Sequence, residues 1–455
     1  MKKNIDQDFR DRPNNIDESG QRKWIKAKQP QGKWYKRRNI VGYVLLIFLI
    51  VSPLLKIEGH PFMLLDILNR KFYIFGQMVF TEDTYILALL MAVIVVSIVL
   101  FTVVFGRIWC GWACPQTLFL ELVYRKVEFL FDGNGRGKRK TFSPEMQKIR
   151  TLLKHSIYIL LSIFFTNVFL MWIIGPEQLL KIITEPVSQH FAGFFSMIVL
   201  SAFYYWIYAF FREQVCTFFC PYGRMQGVLL DNNSIGVIYD YKRGEPRNPK
   251  VEEGGDCINC RQCVAVCPTG IDIRNGSQLE CIHCASCIDE CNLVMKKIGK
   301  PYNLIRYDSF RGVEIGKRSL LNTRSIAYTL VLFGLIVLLA FSVGSRSTID
   351  VTLWRAQGTL YQQLDNDTYS NIYQIMFLNK GGESLDLSLR LLDLPGGEVS
   401  IAGDKVVLPP NGKMKEALII KLKKSSLTGK ETEIKIGLYQ GAQLMETVTT
   451  NFLAP

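Results

Sequence analysis

Four long runs of the chain are apolar and carry no Asp, Glu, Lys or Arg. Each has 20 to 22 residues: 84–105, 156–175, 191–211 and 325–344. About 20 apolar residues of helix cross the hydrocarbon core of a bilayer, so each run is long enough to span it. One Lys or Arg at the centre of a span costs about 2.5–3.5 kcal/mol on insertion scales, so four uncharged runs are a meaningful signal. The sequence therefore predicts a multi-pass membrane protein.

A shorter apolar run, 40–55, precedes these four. It has 16 residues and is flanked by Arg37, Arg38 and Lys56, whose long side chains can reach the membrane interface. We count it as the first of five spans. It does not resemble a cleaved signal peptide, because 39 polar and basic residues precede it and no small-residue cleavage site follows. Five spans place the two termini on opposite sides of the membrane.

Lysine and arginine are distributed unevenly among the segments between these runs. Twelve lie in 1–39, ten in 106–154 and sixteen in 212–324, against three in 56–82 and one in 175–190. The positive-inside rule assigns the first three segments to the cytoplasm, which leaves 345–455 as the exported part. Membrane topology thus accounts for the net charge of +14. No nucleic-acid partner is needed to explain it.

All twelve cysteines lie between Cys110 and Cys291, in segments assigned to the cytoplasm or its membrane edge. Disulfides are rare in the cytosol, so an even number of cysteines here indicates metal binding rather than bridges. The exported segment contains no cysteine.

Eight of these cysteines form two runs, "CINCRQCVAVCP" and "CIHCASCIDEC", with the spacing of bacterial two-cluster ferredoxins. In that pattern three cysteines of a run bind one cluster and the fourth crosses to the other cluster. The predicted ligands are Cys257, Cys260, Cys263 and Cys291 for one [4Fe–4S] cluster, and Cys281, Cys284, Cys287 and Cys267 for the other. Zinc is the alternative, but it prefers two separated pairs of ligands. Two clusters in one small domain make an electron relay.

The remaining four cysteines form two copies of Cys-x-x-x-Cys-Pro, each directly after an apolar run. The pairs are Cys110/Cys114 and Cys216/Cys220. In a helix, residues four apart share a face, and the proline disfavours helix at the second cysteine. Both pairs end spans that run inward, so the four thiols are expected at one membrane depth. They are either buried apolar groups or a site for Cu(I), zinc or a further cluster, and the repetition favours a metal or redox site.

The exported segment differs from the rest of the chain in its pattern of apolar residues. Short alternating runs such as "IYQIMFL" and "EIKIGLY" are separated by the turns "NKGG", "LPGG" and "PPNG". This pattern predicts an antiparallel sandwich of about 100 residues. It contains no metal or catalytic cluster, which favours a binding or docking module.

The predicted parts are a basic tail (1–39), four spans within 40–211, a cytoplasmic region (212–324) with a ferredoxin domain at about 250–300, a fifth span (325–344) and the exported domain (345–455).

The chain resembles the cytochrome c oxidase accessory proteins called CcoG, FixG or RdxA. The resemblance rests on "GRIWCGWACPQT", "CTFFCPYGRMQG", the two ferredoxin runs with "CNLVM", and "GHPFMLLDILNRKFYIFG" in an outer loop, and it covers nearly the whole chain. It implies a multi-domain protein of the bacterial cytoplasmic (inner) membrane. The expected fold is a five-helix α transmembrane bundle, an inserted two-cluster ferredoxin domain of the α+β class on the cytoplasmic side, and a periplasmic immunoglobulin-like β-sandwich.

The resemblance also implies a function, namely reduction of Cu(II) to Cu(I) during assembly of a cbb-type haem–copper oxidase. The family's membrane cysteine motifs fall on Cys110, Cys114, Cys216 and Cys220, which would be the catalytic, copper-binding residues. Implied partners are membrane lipid, copper ions, copper carriers, oxidase subunits or assembly factors, and an unidentified electron donor. The alternatives are a quinol dehydrogenase-type relay to another acceptor and a non-enzymatic scaffold for oxidase assembly.

The predicted topology is testable with reporter fusions. A reporter inserted at Gly254 and one placed after Pro455 are expected in opposite compartments, cytoplasmic and exported respectively, because the segment around Gly254 is rich in Lys and Arg. A shared compartment would remove one span and would contradict the cytoplasmic assignment of the clusters.

Overall fold

A computed structural model of the chain divides into two compact units, Met1–Leu339 and Ala340–Pro455, each of which is described by itself. The structure describes residues 16, 19–57, 59–66, 71–74, 76–79, 84–133, 143–248, 254–316, 322–345, 349–356, 358, 360–365, 367–381, 383–392, 394, 396–401, 406–410 and 412–455. Most of the basic loop 132–140 therefore lies outside the described residues.

Helices dominate the chain up to the second unit. In order they are α1 (Lys33–Val51), α2 (Thr84–Phe105), α3 (Ile108–Trp112), α4 (Pro115–Leu118), α5 (Arg125–Asp132), α6 (Pro144–Ile174), α7 (Pro176–Thr184), α8 (Phe191–Trp206), α9 (Pro221–Leu229), α10 (Tyr241–Gly244), α11 (Gln262–Ala265), α12 (Ser286–Lys297), α13 (Phe310–Ile315) and α14 (Thr323–Gly344). Three π-helical turns occupy Phe119–Tyr124, Ile207–Phe211 and Val215–Phe219. The strands are β1 (Lys56–Ile57), β2 (His60–Pro61), β3 (Met63–Asp66), β4 (Lys71–Ile74), β5 (Gln77–Val79), β6 (Gly236–Tyr239) and β7 (Ile305–Asp308).

Five helical segments within the described residues are long and apolar enough to cross a membrane. They are Lys33–Leu54, Tyr85–Phe105, Pro144–Ile174, Phe191–Phe211 and Thr323–Gly344. Each contains or overlaps one of the five runs that the sequence predicts, which fits a multi-pass membrane protein. The helix Pro144–Ile174 begins well before its apolar run because a basic, amphipathic turn precedes the uncharged part.

The first of these helices begins seven residues earlier than its apolar run. Its amino end is capped from a distance, since the buried Asp289 carboxylate accepts hydrogen bonds from the backbone N–H groups of Trp34 (3.2 Å) and Tyr35 (2.8 Å). Such acceptors satisfy backbone N–H groups that an α-helix leaves unpaired at its start. A side chain at Gly32 would overlap Asp289. The described end of the tail, around Lys28, also packs on the ferredoxin region through a 2.9 Å ion pair with Glu290.

Arg38 differs from the sequence-based expectation. We expected its side chain to reach the membrane interface, but only 1% of it is exposed. Its Nε donates to the carbonyl oxygen of Gly111 at 2.6 Å, and its Nη1 lies 4.0 Å from the Glu121 carboxylate. The interior offers this arginine a carbonyl and a carboxylate, which offset the loss of water around its charge.

The segment 117–131 and the described part of 56–82 add further structure. By its sequence 117–131 suits an interfacial helix, although a buried soluble helix would look the same; in the structure its first part is buried, through Leu118, Phe119 and Tyr124 among others, whereas Leu130 is 71% exposed. In the outer loop, β1 pairs with β2, and β3, β4 and β5 form a three-stranded antiparallel sheet. The strands were not predicted, because this loop mixes apolar and charged residues without a regular period.

The fifth long helix, α14, is exposed along most of its length. Of its described residues only Ser325 is buried, and its large side chains, such as Phe333 and Phe341, are exposed. The described residues therefore give the expected five-helix bundle no support at this helix, and its place there stays a prediction. Half-buried residues such as Tyr328, Leu332, Leu335 and Leu339 recur along one face, and the remaining apolar surface is suited to lipid contact.

The second unit is an antiparallel β-sandwich. Its strands are β8 (Ile349–Arg355), β9 (Gln362–Asp365), β10 (Thr368–Asn379), β11 (Leu385–Leu391), β12 (Glu398–Ile401), β13 (Val406–Leu408), β14 (Lys413–Lys423), β15 (Glu431–Gln440) and β16 (Gln443–Leu453). One sheet has the order β12-β14-β10-β8, with β9 also pairing with β10, and the other has the order β13-β11-β15-β16. Alternate residues of both sheets, including Phe377, Leu418, Ile436 and Phe452, are completely buried between them. The predicted sandwich is confirmed.

The sandwich is expected to fold by itself, because its core is filled by its own two sheets. Replacing the fully buried Phe377 by Ala in a 346–455 fragment should lower the free energy of unfolding by about 3–5 kcal/mol. The matched control is Val407→Ala, since Val407 is 53% exposed, and it should change stability by less than about 0.5 kcal/mol. Urea unfolding followed by circular dichroism measures both, and a helical or unfolded parent fragment would contradict the expectation.

Candidate metal centres

The eight cysteines of the ferredoxin runs line two neighbouring cavities. The first cavity, here the first cluster site, is lined by Cys257, Cys260, Cys263 and Cys291. The second, here the second cluster site, is lined by Cys267, Cys281, Cys284 and Cys287, and Cys263 borders it as well. The fourth cysteine of each run thus lies with the first three of the other run, as the ferredoxin spacing predicts.

The two runs share one backbone geometry. The residues before and after the second cysteine have positive φ angles in both, at Asn259 (55°) and Arg261 (54°) and again at His283 (50°) and Ala285 (64°). Positive φ is uncommon for residues other than glycine, and such conformations cluster at functional sites. Helices α11 and α12 begin directly after them. The two runs are therefore a structural repeat, with each loop turned around its own cavity.

The chemistry of these cavities fits [4Fe–4S] clusters. Burial raises the pKa of Cys281 and of Cys291 to about 12, so their thiolates need a positive metal core to replace the lost water. One zinc ion would hold its sulfur ligands at about 2.3 Å. Among the described residues, no three Cys, His, Asp or Glu side chains converge on a single ion position. Sulfur atoms spread around a cavity fit the larger cube instead.

Both Cys-x-x-x-Cys-Pro motifs fold in the same way. The first cysteine of each pair lies in a short helical segment, Cys110 in α3 and Cys216 in a π-helical turn. The second has an extended backbone, with ψ of 125° at Cys114 and 109° at Cys220. The proline that follows is the first residue of the next helix, α4 or α9, where its missing N–H costs no hydrogen bond. The helix break expected from the sequence is present in both copies.

These four cysteines, here the four-thiol site, lie together. Each of the six pairs among them is close enough for repulsion between thiolates to raise a pKa. Burial is the larger cause, and it raises the pKa of Cys216 to about 12. Cys110 is buried and the other three are half-buried. Soft thiolates are ligands for Cu(I), zinc or an iron–sulfur cluster, although among the described residues no three of these side chains converge on one ion position.

A buried arginine accompanies the four-thiol site. Only 3% of Arg107 is exposed. Its Nε donates to Gln226 Oε1 at 2.8 Å, and the same oxygen accepts from Cys110 Sγ at 3.3 Å. Within the part of the chain that the structure describes, Nη1 of Arg107 has no hydrogen-bond partner and no carboxylate pairs with this guanidinium. A buried, unpaired cation is strongly unfavourable, and a negatively charged metal–thiolate centre would be its counter-ion.

The four-thiol site is adjacent to the second cluster site. Cys110 lies with Ile282 and Cys284 in a small buried cluster. The two backbones approach so closely that a Cβ at Gly111 would overlap the carbonyl oxygen of Ile282 and lie 3.0 Å from the Cα of Cys284. Glycine is required wherever backbones meet at this distance. A cysteine of the membrane-edge motif and a cysteine of the ferredoxin run thus belong to one small buried cluster.

An aromatic group covers the second ferredoxin loop. Trp112 Nε1 donates to the hydroxyl of Tyr307 (2.9 Å), and that hydroxyl donates to the carbonyl oxygen of His283 (2.6 Å). The ring of Trp34 lies edge-on to Tyr307 at 5.1 Å between centroids. Burial raises the pKa of Tyr307 well above its ordinary value, so it stays a neutral donor. These residues come from α1, α3 and β7, and together they shield the loop from water.

Sequence reasoning missed Arg107, Gln226 and the aromatic group. The only available signal was the position of Arg107 immediately after a charge-free span, which we interpreted as topology alone. The partners of these residues lie more than a hundred positions away along the chain, so no local pattern predicts them.

Three family profiles match the chain. One described as a 4Fe–4S dicluster domain matches residues 211–310, and one described as a 4Fe–4S binding domain matches 87–134. One described as the IG-like fold at the C-terminal of FixG matches 339–455. The first covers both ferredoxin runs, the second covers Cys110 and Cys114, and the third covers the sandwich. The matches are those of a membrane iron–sulfur electron-transfer protein.

Curated relatives match most of the chain. Protein RdxA of Cereibacter sphaeroides is 32% identical over 389 residues, which are 82% of this chain and 81% of RdxA. Protein RdxB of the same organism is 32% identical over 426 residues, 88% of this chain and 87% of RdxB. The nitrogen fixation protein FixG of Rhizobium meliloti is 33% identical over 305 residues, 63% of this chain and 57% of FixG. The chain therefore belongs to the FixG/RdxA family of iron–sulfur proteins.

Proposed function

We propose that this protein is a membrane-bound iron–sulfur electron-transfer protein that reduces Cu(II) to Cu(I) at the four-thiol site. The observation that carries the proposal is that Cys110 and Cys284 share one small buried cluster beside the close backbone approach at Gly111. The second cluster site is therefore next to a set of thiols that prefer copper. A one-electron step between the two sites requires this proximity. The family resemblance supports the choice of copper and of a cbb-type oxidase as the beneficiary.

The burial of the cysteines supports a direction for the electrons. Cys260 of the first cluster site is exposed, whereas Cys281 and Cys284 of the second are buried. Cys263 borders both cavities, so the two sites are adjacent. Electrons from a cytoplasmic donor or from quinol would therefore enter near Cys260 and leave near Cys284. When bound, two [4Fe–4S] clusters supply one-electron chemistry along this route.

The residues of the four-thiol site have separate roles in this reaction. The thiols, once deprotonated, are soft ligands that favour Cu(I) over Cu(II). Gln226 accepts a hydrogen bond from Cys110 Sγ and orients that sulfur. Tyr222, packed on Cys110, excludes water from it, and its hydroxyl lies 3.0 Å from that of Thr102. One electron arrives for each Cu(II) that becomes Cu(I), and the thiolates are not themselves oxidised.

A specific observation favours a second candidate for the same site. The profile that matches 87–134 is described as 4Fe–4S binding, and the cysteines in that range are Cys110 and Cys114. Together with Cys216 and Cys220 they would complete a third cluster, and copper would then react elsewhere. Quinol oxidation with another acceptor and a purely structural role in oxidase assembly are the other rivals. Cluster-less variants that still support oxidase assembly would favour the structural role.

The two cysteine sets are expected to be separable. Replacing Cys110, Cys114, Cys216 and Cys220 together by Ser exchanges soft thiolates for weakly binding hydroxyls. Cu(I) binding and Cu(II) reduction should be lost, while iron should stay at about eight atoms per chain, the content of two cubes. Anaerobic purification, metal analysis and a Cu(II) reduction assay measure these outcomes.

The matched control for this variant is Cys260→Ser in the first cluster site. It should lose about four iron atoms and slow Cu(II) reduction, but keep Cu(I) binding. If the quadruple variant instead loses about four irons from a parent holding about twelve, the four thiols hold a third cluster. Full copper reduction by the quadruple variant would mean that the paired motif is structural.

The close approach at Gly111 gives a second prediction. In Gly111→Ala, the added methyl group overlaps the Ile282 carbonyl, so α3 must move away from the ferredoxin loop, at a cost of about 1–3 kcal/mol. Electron transfer from reduced clusters to Cu(II) should slow, as measured by stopped-flow bleaching of the cluster absorbance. The control is Gly334→Ala, because a Cβ at Gly334 meets nothing within 4 Å. Equal rates in both variants would contradict a route through this contact.

A further inference from the structure

Arg107 lies between two metal centres, not beside one. On one side, its guanidinium touches the second membrane-edge motif, since a Cβ at Gly223 would lie 3.0 Å from Nη2 of Arg107 and 2.9 Å from the carbonyl oxygen of Cys216. On the other side, its backbone N–H donates to Nδ1 of the buried His283 at 3.2 Å. His283 lies between Cys281 and Cys284. One residue therefore contacts both the four-thiol site and the second cluster loop.

The position of Arg107 relates it to both sites. Its Nε shares the Gln226 Oε1 acceptor with Cys110 Sγ, and Cys110 lies in one buried cluster with Cys284. Its backbone is bonded to His283 between Cys281 and Cys284. The neighbouring arginines differ from it, since Arg125 forms a 2.6 Å ion pair with Glu121 and Arg212 forms one of the same length with Glu128. Among the described residues around these two sites, Arg107 is the buried arginine that no carboxylate neutralises.

We propose that Arg107 is a positioning residue that serves as the shared counter-ion of the four-thiol site and the second cluster site, and so favours the reduced state of both. This role of Arg107 depends on the proposed function, because it requires that both sites hold metal. Reduction adds one negative charge to a metal–thiolate centre, and a fixed cation in a buried site stabilises that charge more than it would in water. The same guanidinium therefore favours arrival of the electron at the second cluster site and the formation of Cu(I) at the thiols.

The test compares the metal-free and the metal-loaded protein. In Arg107→Met the side chain keeps much of its length and loses its charge. In the metal-free protein the substitution removes an unpaired buried cation, so the melting temperature should rise. In the protein loaded with iron–sulfur clusters and Cu(I) the substitution removes the counter-ion of the metal centres, so the melting temperature should fall. Arg125→Met is the matched control. It breaks an existing ion pair and should lower the melting temperature in both states.

The reduction potential of the second cluster supplies a further measurement, which would not change if Arg107 had only a structural role. In Arg107→Met the equilibrium constant for reducing the second cluster should fall about tenfold, a shift of 59 mV for one electron. The first cluster, at the site lined by Cys257, Cys260, Cys263 and Cys291, is the internal control in the same electron paramagnetic resonance titration. Arg107→Lys keeps the charge, so it should retain most of the potential.

Two results would overturn the proposal. One is a melting temperature that falls in both states for Arg107→Met, as for the control. The other is an unchanged potential of the second cluster. If Arg107→Met does not fold, Arg107→Gln provides the same test, because its amide can still donate to Gln226 but carries no charge, so it should lower the potential in the same direction. Failure of the parent protein to reduce Cu(II) would contradict the proposed function instead, and would leave the cluster potential measurable.

Discussion

The meeting of two backbones at Gly111 and Ile282 organises the first unit. Because no side chain separates them, the membrane-edge helix α3 and the second ferredoxin loop act as one piece. Cys110 is thereby held in one buried cluster with Cys284, and Arg38 reaches across to the carbonyl of the same glycine. The ferredoxin region is therefore not an independent domain joined by linkers. It forms one end of the membrane part, and the distance between its second cluster site and the four thiols is set by main-chain contact.

Several charged side chains are also buried at the junction between the membrane-edge helices and the ferredoxin loops. Arg38 and Arg125 share the Glu121 carboxylate, and the Arg125 guanidinium faces the carbonyl of Pro268 at 3.4 Å, next to Cys267. Burying paired charges contributes little to stability by itself, but the loss of one partner is costly. Such a network resists small displacements of one element relative to another. Its effect is to fix the ferredoxin loops in register with the membrane-edge helices.

The sequence predicted the parts of this protein whose chemistry is local. The spacing of each ferredoxin run predicted which cysteines share a cavity, including the crossing of Cys267 and Cys291, and uncharged length predicted the spans. The buried contacts of the arginines near the span ends could not be predicted. In the sequence, a charged residue at the end of a span has the same pattern whether its side chain faces water or, like Arg38, a carbonyl 73 positions away. The exposure of α14 was not predictable either, since an apolar run carries no information about which of its faces has a neighbour.

The cap of α1 has a consequence for biogenesis. The carboxylate that satisfies the amino end of the first membrane helix belongs to Asp289, some 255 residues further along the chain, on the helix that carries Cys287 and Cys291. A ribosome releases α1 to the membrane long before it has made α12. The helix that inserts first is thus completed last, and its start is anchored only when the ferredoxin region has taken its final shape. The amino end of the first span thus depends for its hydrogen-bond acceptor on the same helix that carries two of the cluster cysteines.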